Sequence, residues 1–498
     1  MLSHPMRHGK NVIRIGAILA MSAVLVTTAC KVGPNYEKPQ VLQADLWTPP
    51  VEGPITAAEP NLLEWWKRFQ DPVLDQLIVQ AQESNATIEK SLANVRVSLA
   101  VLGVSESQFW PTIQTAIEYS RNKTNISLLA AQGVQTSPYD LWIGGAAMAS
   151  WEIDVWGRVA RLVEGAKATL ESSVEDLRGV LISIRSQVGT TYMNVRTLQL
   201  QLSILQSSVK NYKTTLDLVK DKFKAGTNTL LDVNQAQTDL DIVAATIPKI
   251  EGDLDAAIFS LAQLCGTTSG PMTMLLGEPA PLPQMNEEIG IGIPAQLLRR
   301  RPDVRSSERL VAAAVANIGA QEALNLPIFS LSGNFYLASN QFTGLGDSNN
   351  ASYGFGPSIS WLIFQGGYVN SMIAQSKGQA QVALAGYRDT VLGAMRDVET
   401  SISLLVHAKR SAALYATAEK SAQETYNLAN LQYKAGRTNL DTLIRVQNEL
   451  LNTQKQLADS QGSVAQNTVS LYRALGGGWE DGAVNRAAER SAAMKDPS

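Results

Sequence analysis

Apolar and small polar residues alternate singly in short stretches of the chain. Ile113, Ile117 and Tyr119 alternate with Gln114, Glu118 and Ser120; Phe329, Leu331, Phe335 and Leu337 alternate with Ser330, Ser332 and Asn334; Tyr353, Phe355, Ile359 and Trp361 alternate with Gly354, Gly356, Ser358 and Ser360. A period of two puts each set on one face of a strand, which predicts strands near 111–122, 327–338 and 352–363. A further strand near 139–151 is less regular, because Trp142 falls on its polar side. The connecting segments 121–138 and 339–351, rich in Asn, Gly, Ser and Thr, read as loops.

Elsewhere the period is helical. Arg158 to Lys222 and Tyr368 to Gln432 contain no proline and carry apolar residues at three- and four-residue spacing, such as Leu198, Leu202 and Leu205. Helical throughout, each run would extend about 100 Å. Each ends at Lys-Ala-Gly, where glycine can take the left-handed cap. A second helical run follows each, Thr229 to Leu264 with a kink expected at Pro248, and Asn439 to Leu475. Shorter helices, Pro72 to Gln108 and Pro302 to Ala323, precede the strand pairs. Gly226 and Gly436 therefore mark hairpin tips at one extreme of an elongated body.

The two halves repeat one another. Phe223-Lys224-Ala225-Gly226 returns as Tyr433-Lys434-Ala435-Gly436, Trp151 and Gly157 return at the same spacing as Trp361 and Gly367, and Leu231-Asp232 returns as Leu440-Asp441. So long a period is a fused duplication rather than a solenoid. The predicted organisation is a leader over 1–29, an N-terminal segment over 30–71, a first repeat over 72–266, a linker over 267–300, a second repeat over 301–475 and a tail over 476–498.

Strands of about ten residues with one apolar face, one small polar face and aromatic ends match a lipid-facing barrel. Trp151 and Trp361 are the candidate membrane-interface aromatics. Four strands cannot close, and a sheet in lipid has to close so that no backbone group is left unpaired. Two copies would give a barrel filled by side chains, whereas three would leave a passage; the glycines and serines of the polar face favour three.

Composition adds an address and removes chemistry. The first 29 residues carry Arg7, Lys10 and Arg14 and no acid, then an apolar run, then Thr27-Thr28-Ala29-Cys30, as a secretory signal does. A cysteine directly after small residues looks like a bacterial lipobox, so Cys30 is expected to be lipidated and to begin the mature chain. Without the leader 39 basic residues face 45 acids, and nothing points to a nucleic-acid partner. Cys265 has no second structural cysteine to pair with. His407 is the single histidine after the leader, and no glycine-rich phosphate loop, Gly-x-Ser-x-Gly or His-Glu-x-x-His is present. An enzyme is not expected, and no cofactor beyond the covalent lipid on Cys30.

In order along the chain, Cys30-Lys31-Val32-Gly33-Pro34-Asn35-Tyr36, Trp65-Trp66, Trp151 to Arg158, Arg300-Arg301-Pro302-Asp303-Val304 and the two Lys-Ala-Gly turns resemble the outer-membrane efflux lipoproteins of the TolC superfamily. The resemblance implies a mainly α fold with a membrane β-barrel: a homotrimer with a twelve-stranded outer-membrane barrel, a long α-helical barrel across the periplasm, an equatorial girdle and a tapered lower end. It implies passive export of drugs or other small molecules, with a periplasmic adaptor protein and an inner-membrane transporter of the RND type as partners. The adaptor-contact tips would be Lys224, Ala225 and Gly226 with Lys434, Ala435 and Gly436. The periplasmic gate would be Asp232, Arg437, Asp441 and Arg445, acids meeting on the symmetry axis and Arg437 tying the second hairpin to the first. The alternatives are a type I secretion exit for polypeptides, which would use the same duct, and a non-conducting structural trimer.

Overall fold

The computed structural model describes residues 31–40, 47–48, 55–56, 58, 62–122, 138–285, 288–294 and 300–479. Cys30 and the leader, most of the first strand-connecting loop and the tail from 480 lie outside the described residues. The elements in chain order are β1 (Ile55–Thr56), α1 (Pro72–Ser84), α2 (Ala86–Ser107), β2 (Thr112–Asn122), β3 (Tyr139–Ile153), α3 (Arg158–Lys224), α4 (Leu230–Leu264), α5 (Ser269–Leu276), β4 (Ile289–Gly290), α6 (Pro302–Glu322), β5 (Ile328–Ser339), β6 (Ala351–Ser360), α7 (Tyr368–Lys434) and α8 (Leu440–Ala474). Helices α3 and α7 are each 67 residues long, and α4 and α8 each 35. Helix α4 runs through Pro248 without a break.

The chain divides into two compact units, each drawing on both halves of the sequence. The first unit holds the sheet, whose order β2-β3-β5-β6 is antiparallel throughout. Residues opposite one another across a ladder share a face, so the register fixes which side chains stand together. Ile113, Ala149, Gly333 and Phe355 form one row, and Ile153, Phe329 and Ile359 another on the same face. Thr112, Ser150, Ser332 and Gly356 form a row on the opposite face, as do Glu152, Ser330 and Ser358. One face is therefore apolar along these rows and the other mainly small and polar, with Leu141, Ile143 and Met148 of β3 and Tyr336 of β5 as the large side chains on the polar side. Ile113, Phe355 and Ile359 are exposed.

Trp142 belongs to the apolar face, contrary to the strand pattern. A bulge interrupts β3 between Gly144 and Ala147, with Gly145 at φ 61°. The extra residue reverses the parity of everything before it, and the Trp142 ring lies tilted against Tyr119 with centroids 4.3 Å apart. Two boundaries also differ from expectation. Strand β6 ends at Ser360, leaving Trp361 just outside it. The expected helix 72–108 is two helices, because Asn85 is extended between them. Its buried side chain accepts from the amides of Thr87 and Ile88 and donates to the Leu264 carbonyl at 2.7 Å. A cap and a tertiary bond together outweigh continued helix.

The second unit holds the main core. Trp65 and Trp66 are buried there, Trp65 stacked on Tyr472 at 5.5 Å and Trp66 beneath the Arg185 guanidinium. Asp71 caps α1 by accepting from Val73 and Leu74, with Pro72 at the first helical position. Arg301 is structural: it pairs with Asp303 at 2.7 Å and donates to the Ala474 carbonyl at the end of α8.

Candidate functional site

The two Lys-Ala-Gly turns close the long hairpins of the second unit by the same backbone scheme. Gly226 and Gly436 take φ 75° and 72°, values that a side-chain-bearing residue adopts only under strain. Thr227 donates to Lys222 and Gly226 to Phe223; 210 residues on, Arg437 donates to Gln432 and Gly436 to Tyr433. These paired bonds satisfy the last carbonyls of α3 and α7. The following helices restart at once. Thr229 and Asp232 form a capping box on α4, the Thr229 amide meeting the Asp232 carboxylate at 2.7 Å, and Asn439 caps α8 through Thr442.

The predicted gate residues therefore differ in what they do. Asp232 is engaged in its own helix cap. Asp441, Arg437 and Arg445 are exposed, and among the described residues none of the three makes an ion pair within the chain. Within the chain the two hairpin tips are tied together by Lys222, Asn228 and Tyr433. The Lys222 ammonium donates to the Tyr433 carbonyl at 2.5 Å and lies 4.1 Å from the centre of its ring, while the Asn228 amide donates to the Tyr433 hydroxyl at 2.8 Å. Burial raises the Tyr433 phenol above its ordinary value and the Asp232 charge adds to this, the Asn228 bond opposing it. Phe223, the counterpart of Tyr433, is 43% exposed, whereas Tyr433 is 3% exposed and packs with Leu440, Leu443 and Val219. The hydroxyl that replaces a hydrogen at this repeated position was the one sequence signal for the tie. The proposed contact tips Lys224, Ala225, Lys434 and Ala435 are exposed beside it.

In the first unit the two candidate interface tryptophans make the same bond. The Trp151 indole donates to the Phe109 carbonyl at 2.9 Å and the Trp361 indole to the Asn325 carbonyl at 3.0 Å. Each carbonyl lies two residues before the proline that opens the neighbouring strand, Pro111 or Pro327. The segment following Cys30 is strapped down in this unit as well. Arg161, 1% exposed, donates to the carbonyls of Val32 and Gly33 and to the Asn35 side chain. Glu308 accepts from Tyr36 and pairs with Lys38 at 2.9 Å. Burial would raise the Glu308 carboxyl, but Lys38, Arg309 and Tyr36 outweigh it and hold it below its usual range. Arg161 lies 131 positions from Cys30, and no local pattern announced it.

No group of His, Cys, Asp and Glu able to hold a metal ion occurs among the described residues, and no helix among them is long and apolar enough to cross a membrane. The outer membrane efflux protein model matches residues 77–267 and again 293–477. The chain belongs to that family. The family is one of non-enzymatic channel proteins of the outer membrane. Its relatives include nodulation protein T of Rhizobium leguminosarum bv. trifolii, 26% identical over 91% of this chain and 96% of that protein. The probable efflux pump outer membrane protein TtgC of Pseudomonas putida is 28% identical over 93% of this chain and 95% of its own. Among solved structures, the outer-membrane channel OprN superposes with a TM-score of 0.84 at 28% identity, covering 90% of this chain and all of that one. The Campylobacter jejuni CmeC outer membrane channel has the same fold, with a TM-score of 0.84 at 21% identity over 93% of this chain and 98% of that one.

Proposed function

We propose that the chain is the outer-membrane exit duct of a tripartite efflux pump, a tandem duplication that works as a homotrimer and passively conducts drugs or other small molecules. The observation that carries this reading is the sheet. Its four strands have an apolar face, a mainly small and polar face interrupted on β3 by Leu141, Ile143 and Met148, and edges at β2 and β6 that pair with nothing among the described residues. In lipid such edges must be paired. Three copies joined β6 to β2 make twelve strands, with the small polar face turned to a wet lumen. The similarity to TtgC, named as a probable efflux pump component, supports a periplasmic adaptor and an inner-membrane transporter of the RND type as partners. Cys30 carries the lipid anchor, and Trp151 and Trp361 sit at the membrane interface.

The lower end is closed by the hairpin tips, with Lys224 to Gly226 and Lys434 to Gly436 as the adaptor contacts. Within each chain Lys222 and Asn228 hold Tyr433; between chains Asp441, Arg437 and Arg445, with Asp232 behind them, meet around the axis. Native mass spectrometry in detergent tests the assembly, and intact mass after membrane extraction tests the anchor. A trimer whose chains begin at a diacylated Cys30 is expected. A stable monomer overturns the shared barrel, and an unmodified chain overturns the anchor.

A further inference from the structure

Beyond Trp151 and Trp361 the two strand-to-helix junctions diverge. In the first, Glu152 accepts both guanidinium bonds of Arg158 at 2.8 and 2.7 Å, and Asp154 accepts from the Val159 and Ala160 amides at the start of α3. The junction is charged and its charges are tied inward. At the same repeat spacing, Glu152 becomes Leu362, Asp154 becomes Phe364 and Arg158 becomes Tyr368. None of these can make the corresponding bonds.

The replacements are turned outward. Leu362 is 61% exposed, Ile363 83% and Phe364 90%. The alternation of β6 has ended by this point, so four apolar residues in succession offer no polar side. From Ser348 to Ser376 the chain carries no charged side chain, and the next one, Lys377, is paired with Glu322 at 2.9 Å. The segment also continues the apolar sheet face, following directly on exposed Phe355 and Ile359. A charge-free, wholly apolar stretch contiguous with a lipid-facing surface and begun by tryptophan has the composition of an interfacial membrane anchor.

We propose that Trp361–Phe364 is a lipid-binding segment that lies in the acyl-chain layer just beneath the headgroups of the bilayer leaflet at this end of the sheet, its ligand being phospholipid acyl chains. The proposal rests on the reading that the sheet sits in the outer membrane. The duplicated junction at Glu152–Arg158 has no such role: one copy of the repeat keeps its charged cap and the other is given over to lipid.

The test uses the full-length protein in phosphatidylcholine vesicles, with an environment-sensitive thiol dye at Ile363→Cys or Phe364→Cys and a reference dye at Phe355→Cys. Buried Cys265 stays unlabelled. Dyes at 363 and 364 should lose at least half their emission to lipids brominated near the glycerol end, and much less to lipids brominated near the terminal methyl or to aqueous iodide. If the Phe355 dye is quenched by bromolipid but those at 363 and 364 are not, the proposal fails: iodide access would mean a bare loop, and protection from both quenchers a cover of neighbouring protein. If the Phe355 dye is also unquenched, the membrane reading of the sheet fails with it.

Discussion

Replacing Lys222 by Met, together with Asn228 by Ala, removes both polar groups that hold Tyr433 while leaving its ring in place. The Lys222 bond to the Tyr433 carbonyl is charge-assisted, and such bonds contribute about 1.5–3 kcal/mol. The ammonium over the ring adds roughly 0.5–1 kcal/mol, and the Asn228 bond to the hydroxyl about 1 kcal/mol. Lys222 is only partly buried, so water replaces part of what is lost and the net is set at about 2 kcal/mol. At 1.4 kcal/mol for each factor of ten, local opening of the tips should become about 30-fold more frequent. Hydrogen exchange of the tip amides reads this directly, since they open locally rather than with the whole fold. Exchange should speed up around 222–229 and 431–439 and stay unchanged in the middle of α3. Lys224→Met is the matched control: it removes the same charge from the same tip, but Lys224 meets only Asp221, at 3.3 Å with both side chains largely exposed. Equal exchange in parent and double variant, or an equal effect of Lys224→Met, would refute the assignment of the tie to Tyr433.

Other predictions are narrower. Asn85→Ala should destabilise the second unit by about 2 kcal/mol, a lost cap plus an unpaired buried carbonyl at Leu264, read as a lower denaturation midpoint. The Glu308 carboxyl is held below its ordinary 4.5, so the stability it gives the 31–39 strap is present at neutral pH and is lost as pH falls below about that value, through its depressed folded value. Hydrogen-exchange protection of the amides over 32–38 should accordingly fall in acid, and Glu308→Gln should show low protection at every pH. Burial pushes the Cys265 thiol up to about 11, so thiol reagents should leave it unmodified in the folded protein and react fully after denaturation.

What the sequence disclosed was set by short-range periodicity. A long proline-free run closed by Lys-Ala-Gly has few alternatives to a helix with a glycine cap, and α3 and α7 extend only two residues beyond the predicted stretches, to Lys224 and Lys434. The strands were legible because alternation survives on a sheet with one apolar face. What was hidden depended on partners distant in sequence. Trp142 changed faces because of a bulge that exists only once β3 is paired on both sides. Asn85 broke a helix because a carbonyl from α4 was waiting for its amide. At the tips, charge drew attention to Arg437, while the in-chain tie through Lys222 went unseen because its partner lies on the other hairpin.

Single-channel recording of the purified protein in planar lipid bilayers tests the central claim most directly. A wet twelve-stranded barrel closed only at its tips predicts small, cation-preferring openings in the parent protein, and a several-fold larger conductance when Arg437→Ala and Asp441→Ala are combined with Lys222→Met. Inserted trimers that conduct nothing, in the parent and in the opened variant alike, would contradict the account and leave a structural lipoprotein in its place.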